Sequence, residues 1–435
     1  MVKSGANKQL QLLVSLSVFG AFGVLVGFRQ TTFFVQRGAS KSGQYQQQHY
    51  PDFLLTVPFY VYEDLAWTNA TYNNHLFSEL DGRKGWGYKH SEDYWFMKAA
   101  FRHPMRTLDP SEAKLFVIPT LINLYSRRVA RLWDPFANFT LCNHYVCDND
   151  LLEQLYQRLS TSTWFRRYDG RDHIVVASHF GYGDEVWYQH EVKIPKKVRK
   201  LLARCNMITF ESNRFNDIDR FSYPSYYVGF PCPDSSDKLY DAAMIATLKP
   251  DQETFLDRLK VCEWTKDDRL NCTMPICGGG DQCPFLAQSK FGFHVRGDTF
   301  GSNRLMDTLL SYTVPIFTRK EQYDVLPKWI DWNQLSYFAN LSDKESFLAS
   351  MTAILQDQDG YQRRLEVILK HQPLFDWKTL IPFDTYMFML QKDLCMLQED
   401  FYLKVTDSPR FSALILSDNR YNSCKKIYSG KMLSI

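Results

Sequence analysis

The stretch Ser289-Lys-Phe-Gly-Phe-His-Val-Arg-Gly-Asp-Thr-Phe-Gly-Ser-Asn-Arg-Leu-Met-Asp-Thr-Leu-Leu-Ser-Tyr-Thr-Val-Pro-Ile-Phe317 has the order strand, polar loop, helix, strand. Phe291, Phe293 and Val295 alternate as one strand face does. Gly297, Asp298, Gly301 and Ser302 supply turn chemistry and a candidate helix N-cap. Leu305, Leu309 and Leu310 follow at helical spacing, and Val314 to Phe317 returns as a second apolar run. A loop leaving the carboxyl end of a strand and entering a helix is where open α/β sheets bind ligands. A helix N-terminus there attracts anions. Arg296 and Arg304 flank the loop, and Asp307 is placed to accept hydrogen bonds from two vicinal hydroxyls. A diphosphate beside a sugar or ribose needs this mixture. The plainer alternative is an exposed Arg304–Asp307 pair at i,i+3, worth roughly 0.2–0.5 kcal/mol.

Working outward, residues 53–235 alternate between strand and helix. Val57 to Tyr62, Lys114 to Ile118, Asp172 to Ala177 and Met207 to Phe210 read as strands; His90 to Phe101 and Leu151 to Leu159 read as helices. This alternation predicts an α/β fold with a parallel sheet covered on both faces. Beyond Phe317, Leu335 to Phe338 is a short apolar run, and 344–356, 361–370 and 383–397 have helical periodicity. Residues 236–260 read as mostly helical and polar, so the second half shows fewer strands than a complete domain needs. A C-terminal tail runs over 401–435, of which 408–435 is short of periodicity.

The amino-terminal segment sets the expected topology. Residues 9–28 carry no charge and are long enough for a slightly short membrane-spanning helix. A cleaved signal peptide is the alternative. Lys3 and Lys8 on one side balance Arg29 and Arg37 on the other, so charge gives almost no orientation. Gly23 and Gly27 form a small-xxx-small pair of the kind that packs two anchors together, leaving a homo- or hetero-dimer open. Residues 29–52 read as a polar, Gln-rich stem after a tail over 1–8. Sequons at Asn69, Asn138, Asn271 and Asn340 all lie downstream, which favours a lumenal bulk. Cys262, Cys272, Cys277 and Cys283 cluster; disulfides within 262–283 are the favoured reading, with thiolate ligation of zinc as the competitor. The formal net charge of +3 comes without a basic stripe interleaved with aromatics, which argues against nucleic acid.

Several separate blocks, in order, resemble the exostosin family of glycosyltransferases (family 47) over roughly residues 55–400. They are Phe59-Tyr-Val-Tyr-Glu63; Arg106-Thr-Leu-Asp-Pro110 running on to Pro119; Trp164 to His173 with Ser178-His179 after it; and the 289–317 segment followed by Asp331-Trp332. The resemblance implies a GT-B-like architecture: two facing Rossmann-type domains with parallel sheets, an acceptor-side domain over 53–235 and a nucleotide-sugar domain over 236–400, preceded by a transmembrane helix. It implies inverting transfer of a sugar from a nucleoside diphosphate sugar, UDP-linked, to a glycan or glycoprotein acceptor, and a Golgi anchor of type II orientation. No bound cofactor and no essential metal are implied. Asp148-Asn-Asp150, Asp217-Ile-Asp219 and Asp357-Gln-Asp359 read as solvated turns, because none directly follows a buried-strand run.

For the donor, the expected residues are Arg296 and Arg304 on the diphosphate, Asp307 on the ribose, and Gly297, Asp298 and Ser302 shaping the loop. His179, just after a strand, is the leading general-base candidate because histidine titrates near neutrality. Asp172 is a second catalytic candidate, although with His173 it opens a buried strand, where a structural role is the stronger reading. The sequence departs from the family in two places. No apolar strand with a glycine is evident between Pro231 and Pro250, unless it has diverged to Ala242-Ala-Met-Ile-Ala246. Tyr312-Thr313 also stands where the family often has Gly-Cys. An incomplete donor pocket in a catalytically inactive, glycan-binding partner subunit is therefore the alternative function.

Overall fold

A computed structural model describes residues 54, 55, 57–65, 91–120, 150–178, 195–211, 221–229, 231, 232, 237–280, 283–297 and 299–397. The first sheet runs in the order β2-β1-β3-β4-β5-β6. Its strands are β1 (Phe59–Val61), β2 (Arg106–Thr107), β3 (Leu115–Ile118), β4 (His173–Ala177), β5 (Asn206–Thr209) and β6 (Ser222–Pro224). Every pairing is parallel. β3, β4 and β5 are buried along their whole length, as strands covered on both faces should be. Helices α1 (Glu92–Arg102), α2 (Asp150–Thr161), α3 (Thr163–Arg167) and α4 (Lys196–Leu202) connect them.

The second sheet runs β11-β10-β9-β7-β8, again parallel throughout. It comprises β7 (Tyr240–Ile245), β8 (Cys277–Gly278), β9 (Ser289–His294), β10 (Val314–Phe317) and β11 (Tyr337–Phe338). The expected strand–loop–helix–strand unit is present: β9 leads through the loop into α7 (Arg304–Leu310) and back to β10, with Phe291 opposite Val314 and His294 opposite Phe317. Preceding it are α5 (Leu256–Trp264) and α6 (Cys283–Ala287); following it are α8 (Lys344–Gln356), α9 (Gln358–His371) and α10 (Ile381–Leu397).

The reading of 236–260 as helical and polar is corrected. Tyr240 to Ile245 is a strand, with Ala242, Ala243, Met244 and Ile245 buried between β9 and β8. Ala and Met favour helices in isolation; pairing on both edges overrides that preference here. The other departure, Tyr312-Thr313, still closes α7. Tyr312 takes the left-handed conformation usually left to glycine, with φ 53°. Its N–H donates to Leu309 O at 3.2 Å and that of Thr313 to Thr308 O at 3.1 Å, while Tyr312 Oη donates to Gln372 Oε1 at 2.8 Å.

The described residues form one compact unit. α10 packs on the first sheet's side of it: Phe383 meets Phe59 and Phe96, and Asp384 accepts the N–H groups of Leu54 and Leu55 at 2.6 and 3.0 Å. An aromatic seam joins the two sheets. Tyr226 N–H donates to Tyr386 Oη at 2.7 Å, Tyr386 Oη donates to Pro224 O at 2.8 Å, and Trp329 Nε1 donates to Tyr226 Oη at 2.6 Å.

The cysteine expectation is corrected in part. Cys262 pairs with Cys277, inside the cluster, but Cys283 reaches outside it to Cys232. Cys272 stays out of any disulfide. Burial, and then the Asp241 charge, push its thiol up to about 12, which makes it a poor thiolate ligand. Among the described residues no helix is long and apolar enough to cross a membrane; residues 9–28 lie outside them.

Candidate active site

The ligand-binding edge of a parallel sheet is where its strands end. On the second sheet that edge gathers the ends of β7, β9 and β10, and guanidinium groups converge there. Arg296 follows β9 and lays its guanidinium over the Phe300 ring, 4.5 Å from the centroid. Arg304 opens α7 and, with Asp307 and Thr308, lines a narrow cavity whose floor is Ala243, Ile245 and Gly292. Asp307 is fully buried, so it faces this cavity and not open solvent. Gly297 is buried against the guanidinium of Arg258.

Arg258 was not anticipated from sequence. It lies on α5 and is only 3% exposed. Its Nε donates to Arg296 O at 3.0 Å and its Nη1 to Thr247 O at 2.6 Å, so one side chain ties the ends of β9 and β7 together. The plane rests on Phe255, 4.0 Å from the ring centroid. The preceding residue, Asp257, is clamped by Arg319 just beyond β10 through contacts of 2.6 and 2.8 Å. That pairing raises the Arg319 pKa. The first turn of α5 is thereby fastened across the carboxyl edge of three strands. The sequence signal was a basic residue in the helix after the half's first strand, hidden while that strand was unrecognised.

His294, within the quoted stretch, closes β9 and is 1% exposed. Neither ring nitrogen makes a well-formed hydrogen bond. Its ring stands edge-on to Phe317, with centroids 4.9 Å apart. Burial first, then the Arg304 and Arg258 charges, push its pKa down to about 3, with the Phe300 backbone opposing in part. The imidazole is neutral at any physiological pH, so the positive field here belongs to the arginines.

The helix end contributes less than the sequence suggests. α7 has seven residues. Its first amides are engaged within the chain: Leu305 N–H on Ser302 O at 3.1 Å, Met306 N–H on Asn303 O at 3.0 Å, and Arg304 N–H on Ser302 Oγ at 3.4 Å. Ser302 therefore shapes the helix entry.

The first sheet supplies the facing wall. Glu211, just past β5, accepts the Gly301 N–H at 2.6 Å. Gly229 lies so near α7 that a Cβ there would sit 2.6 Å from Met306 Cβ. Ser178, just past β4, donates to Glu92 Oε2 at 3.2 Å, while Glu92 Oε1 accepts the Val228 N–H at 3.2 Å. The neighbouring general-base candidate, His179, lies outside the described residues, as do Asp298, Asn69 and Asn138. Asp172 is not brought to this edge. It precedes β4 at the opposite end, buried, holding His173 Nδ1 at 2.7 Å and Arg167 at 2.8 Å; His173 Nε2 in turn meets Tyr62 Oη at 2.8 Å. Of the sequons, Asn271 is exposed and Asn340 half-buried. Asp357, of the Asp-x-Asp at 357–359, caps α9 by accepting the Gly360 N–H at 2.9 Å. Among the described residues no group of three or more His, Cys, Asp or Glu is placed to hold a metal.

The arrangement suits a polyanion held at one sheet's edge under a wall from the other. The chain is 22% identical over 275 residues to the probable xyloglucan galactosyltransferase GT17 of Arabidopsis thaliana, covering 56% of each chain. It is 21% identical over 302 residues to the xyloglucan galactosyltransferase XLT2 of the same plant, covering 62% of this chain and 53% of that one. It thus spans about half the length of these relatives. Among solved structures, the calicheamicin glycosyltransferase CalG4 aligns with 78% of this chain and 100% of its own at 10% identity and a TM-score of 0.33. The Exostosin GT47 domain matches residues 56–354, most of the chain, and the protein belongs to that family of glycosyltransferases.

Proposed function

We propose that this protein transfers a sugar, with inversion, from a UDP-sugar to a glycan or glycoprotein acceptor, as a type II Golgi membrane enzyme anchored by residues 9–28. In this reading the two sheets belong to facing Rossmann-type domains in a GT-B arrangement, 53–235 on the acceptor side and 236–400 on the donor side. The observation that carries it is the convergence of Arg258, Arg296 and Arg304 at the carboxyl edge of β7 and β9. During transfer the acceptor oxygen bonds to the anomeric carbon as the bond from that carbon to the diphosphate breaks. The leaving group gains negative charge, which pre-placed guanidinium groups stabilise. The acceptor proton passes to a base from the facing wall, for which His179 is the candidate. Asp307, beside Arg304, is assigned to the ribose. Galactose is the first sugar to try, because the Arabidopsis relatives are named as galactosyltransferases.

The alternative of an inactive partner subunit rested on a missing first strand in the donor half; β7 fills that place. A screen of UDP- and GDP-sugars with linkage analysis of the product tests the proposal. Turnover of a UDP-sugar to a product of inverted anomeric configuration is expected. No turnover with any donor, together with no UDP binding, would contradict it.

A further inference from the structure

We propose that Glu211 is a positioning residue that shapes the donor loop from the opposite sheet. Its carboxylate leaves the carboxyl edge of β5 and accepts the Gly301 N–H at 2.6 Å. Gly301 is buried, and a Cβ there would collide with Tyr227 Oη and come within 3.0 Å of Glu211 Oε1. Tyr227 cannot swing aside freely. Its hydroxyl donates to Phe210 O at 2.7 Å, its carbonyl accepts from Trp377 Nε1 at 3.0 Å, and its φ is 56°. A left-handed tyrosine persists only where its surroundings over-determine it. The loop is therefore pinned at both ends: Arg258 of the second sheet's side holds Arg296 O, and Glu211 of the first holds Gly301.

A carboxylate beside a diphosphate site opposes donor binding through like-charge repulsion. What it supplies in return is an acceptor oxygen held against the Gly301 amide at the entry to α7, which an amide oxygen in its place also supplies. Fixing that amide fixes where Arg304 starts. The donor site on one sheet is thus complete only when the other sheet is seated against it.

This inference rests on the transferase reading for its kinetic consequence, but its structural half is testable without a donor. In the full-length chain, hydrogen–deuterium exchange of a peptide covering 299–306 should quicken at least tenfold in Glu211→Ala and stay near wild type in Glu211→Gln, whose amide oxygen accepts the same N–H. Unchanged protection in Glu211→Ala would overturn the inference whatever the protein transfers. With the UDP-sugar found by the screen, Glu211→Ala and Gly301→Ala should raise the donor KM roughly tenfold with kcat changed much less, and Glu211→Gln should restore it. Loss of kcat in Glu211→Gln at wild-type KM would mean that the carboxylate moves a proton, and would also overturn the positioning role. Should Glu211→Ala fail to fold, Glu211→Gln decides alone, since a raised KM there contradicts the assignment. Wild-type protein that binds no UDP would instead remove the transferase reading and leave the exchange result to judge the loop contact.

Discussion

Arg258 does the work of several residues because a guanidinium has donors on more than one side. It reaches the ends of β7 and β9 at once and rests on Phe255. A lysine has the charge but not the fork. Arg258→Lys should therefore lose UDP affinity nearly as fully as Arg258→Ala, roughly 10- to 100-fold by titration calorimetry; a lysine variant of wild-type affinity would show that only charge matters. His294 makes a second prediction. Its folded pKa of about 3 lies below the ordinary value of 6.5, so the unfolded chain takes up the proton first. The stability it contributes is fully present above about pH 6.5 and is lost as pH falls toward 3, by about 1.4 kcal/mol per pH unit. Denaturant titrations from about pH 6 to about pH 4 should show that slope on top of one of the same sign from His371, whose pKa burial lowers to about 4, and His294→Leu should reduce the total by its share. An unchanged slope would place the titration elsewhere.

At the scale of elements, strongly patterned segments were legible and context-dependent ones were not. The strand–loop–helix–strand unit over 289–317 could be read from alternating Phe291 and Phe293 and from the leucines of α7, and β3 and β4 from their unbroken apolar runs. β7 is legible only as the diverged-strand alternative at Ala242 to Ala246, because Tyr-Asp-Ala-Ala-Met-Ile has neither β-branched runs nor alternation, and Arg258 in the helix after it carries no mark. Glu211 carries no local signal at all; only the packing of the sheets brings it to Gly301. The Cys232–Cys283 link spans 51 residues and was likewise invisible. Two element-level tests follow. Tyr312→Ala keeps the left-handed strain and loses the Gln372 contact, whereas Tyr312→Gly relieves the strain, so the glycine variant should be the more stable by about 1 kcal/mol. Equal melting would deny the strain. Breaking Cys262–Cys277, which closes a separation of 15 residues and tethers α5, should cost about 3 kcal/mol and weaken UDP binding through Arg258. Wild-type stability in Cys262→Ser/Cys277→Ser would remove that tether.

For the whole molecule, the loop before α7, the aromatic seam and α10 are packed together: Glu211 joins the loop to the first sheet, and Tyr386 of α10 joins the seam. α10 comes last among the described elements, yet its Phe383 and Asp384 pack on β1, α1 and the segment before them. Tyr386 holds the chain at and after β6, accepting from Tyr226 N–H and donating to Pro224 O, and its ring meets Trp329 from the second sheet's side. Tyr386→Phe leaves both groups buried without that partner and should cost about 1–3 kcal/mol. If this packing also sets the site, UDP affinity should fall with it; a destabilised variant that binds UDP normally would separate the two. The most direct test of the central claim is a crystal structure of the protein with UDP. The diphosphate is predicted within hydrogen-bonding distance of the Arg296 and Arg304 guanidinium groups, at the carboxyl edge of β9 and under the wall that carries Glu211. A diphosphate bound elsewhere on the chain, with those arginines uninvolved, would contradict the account.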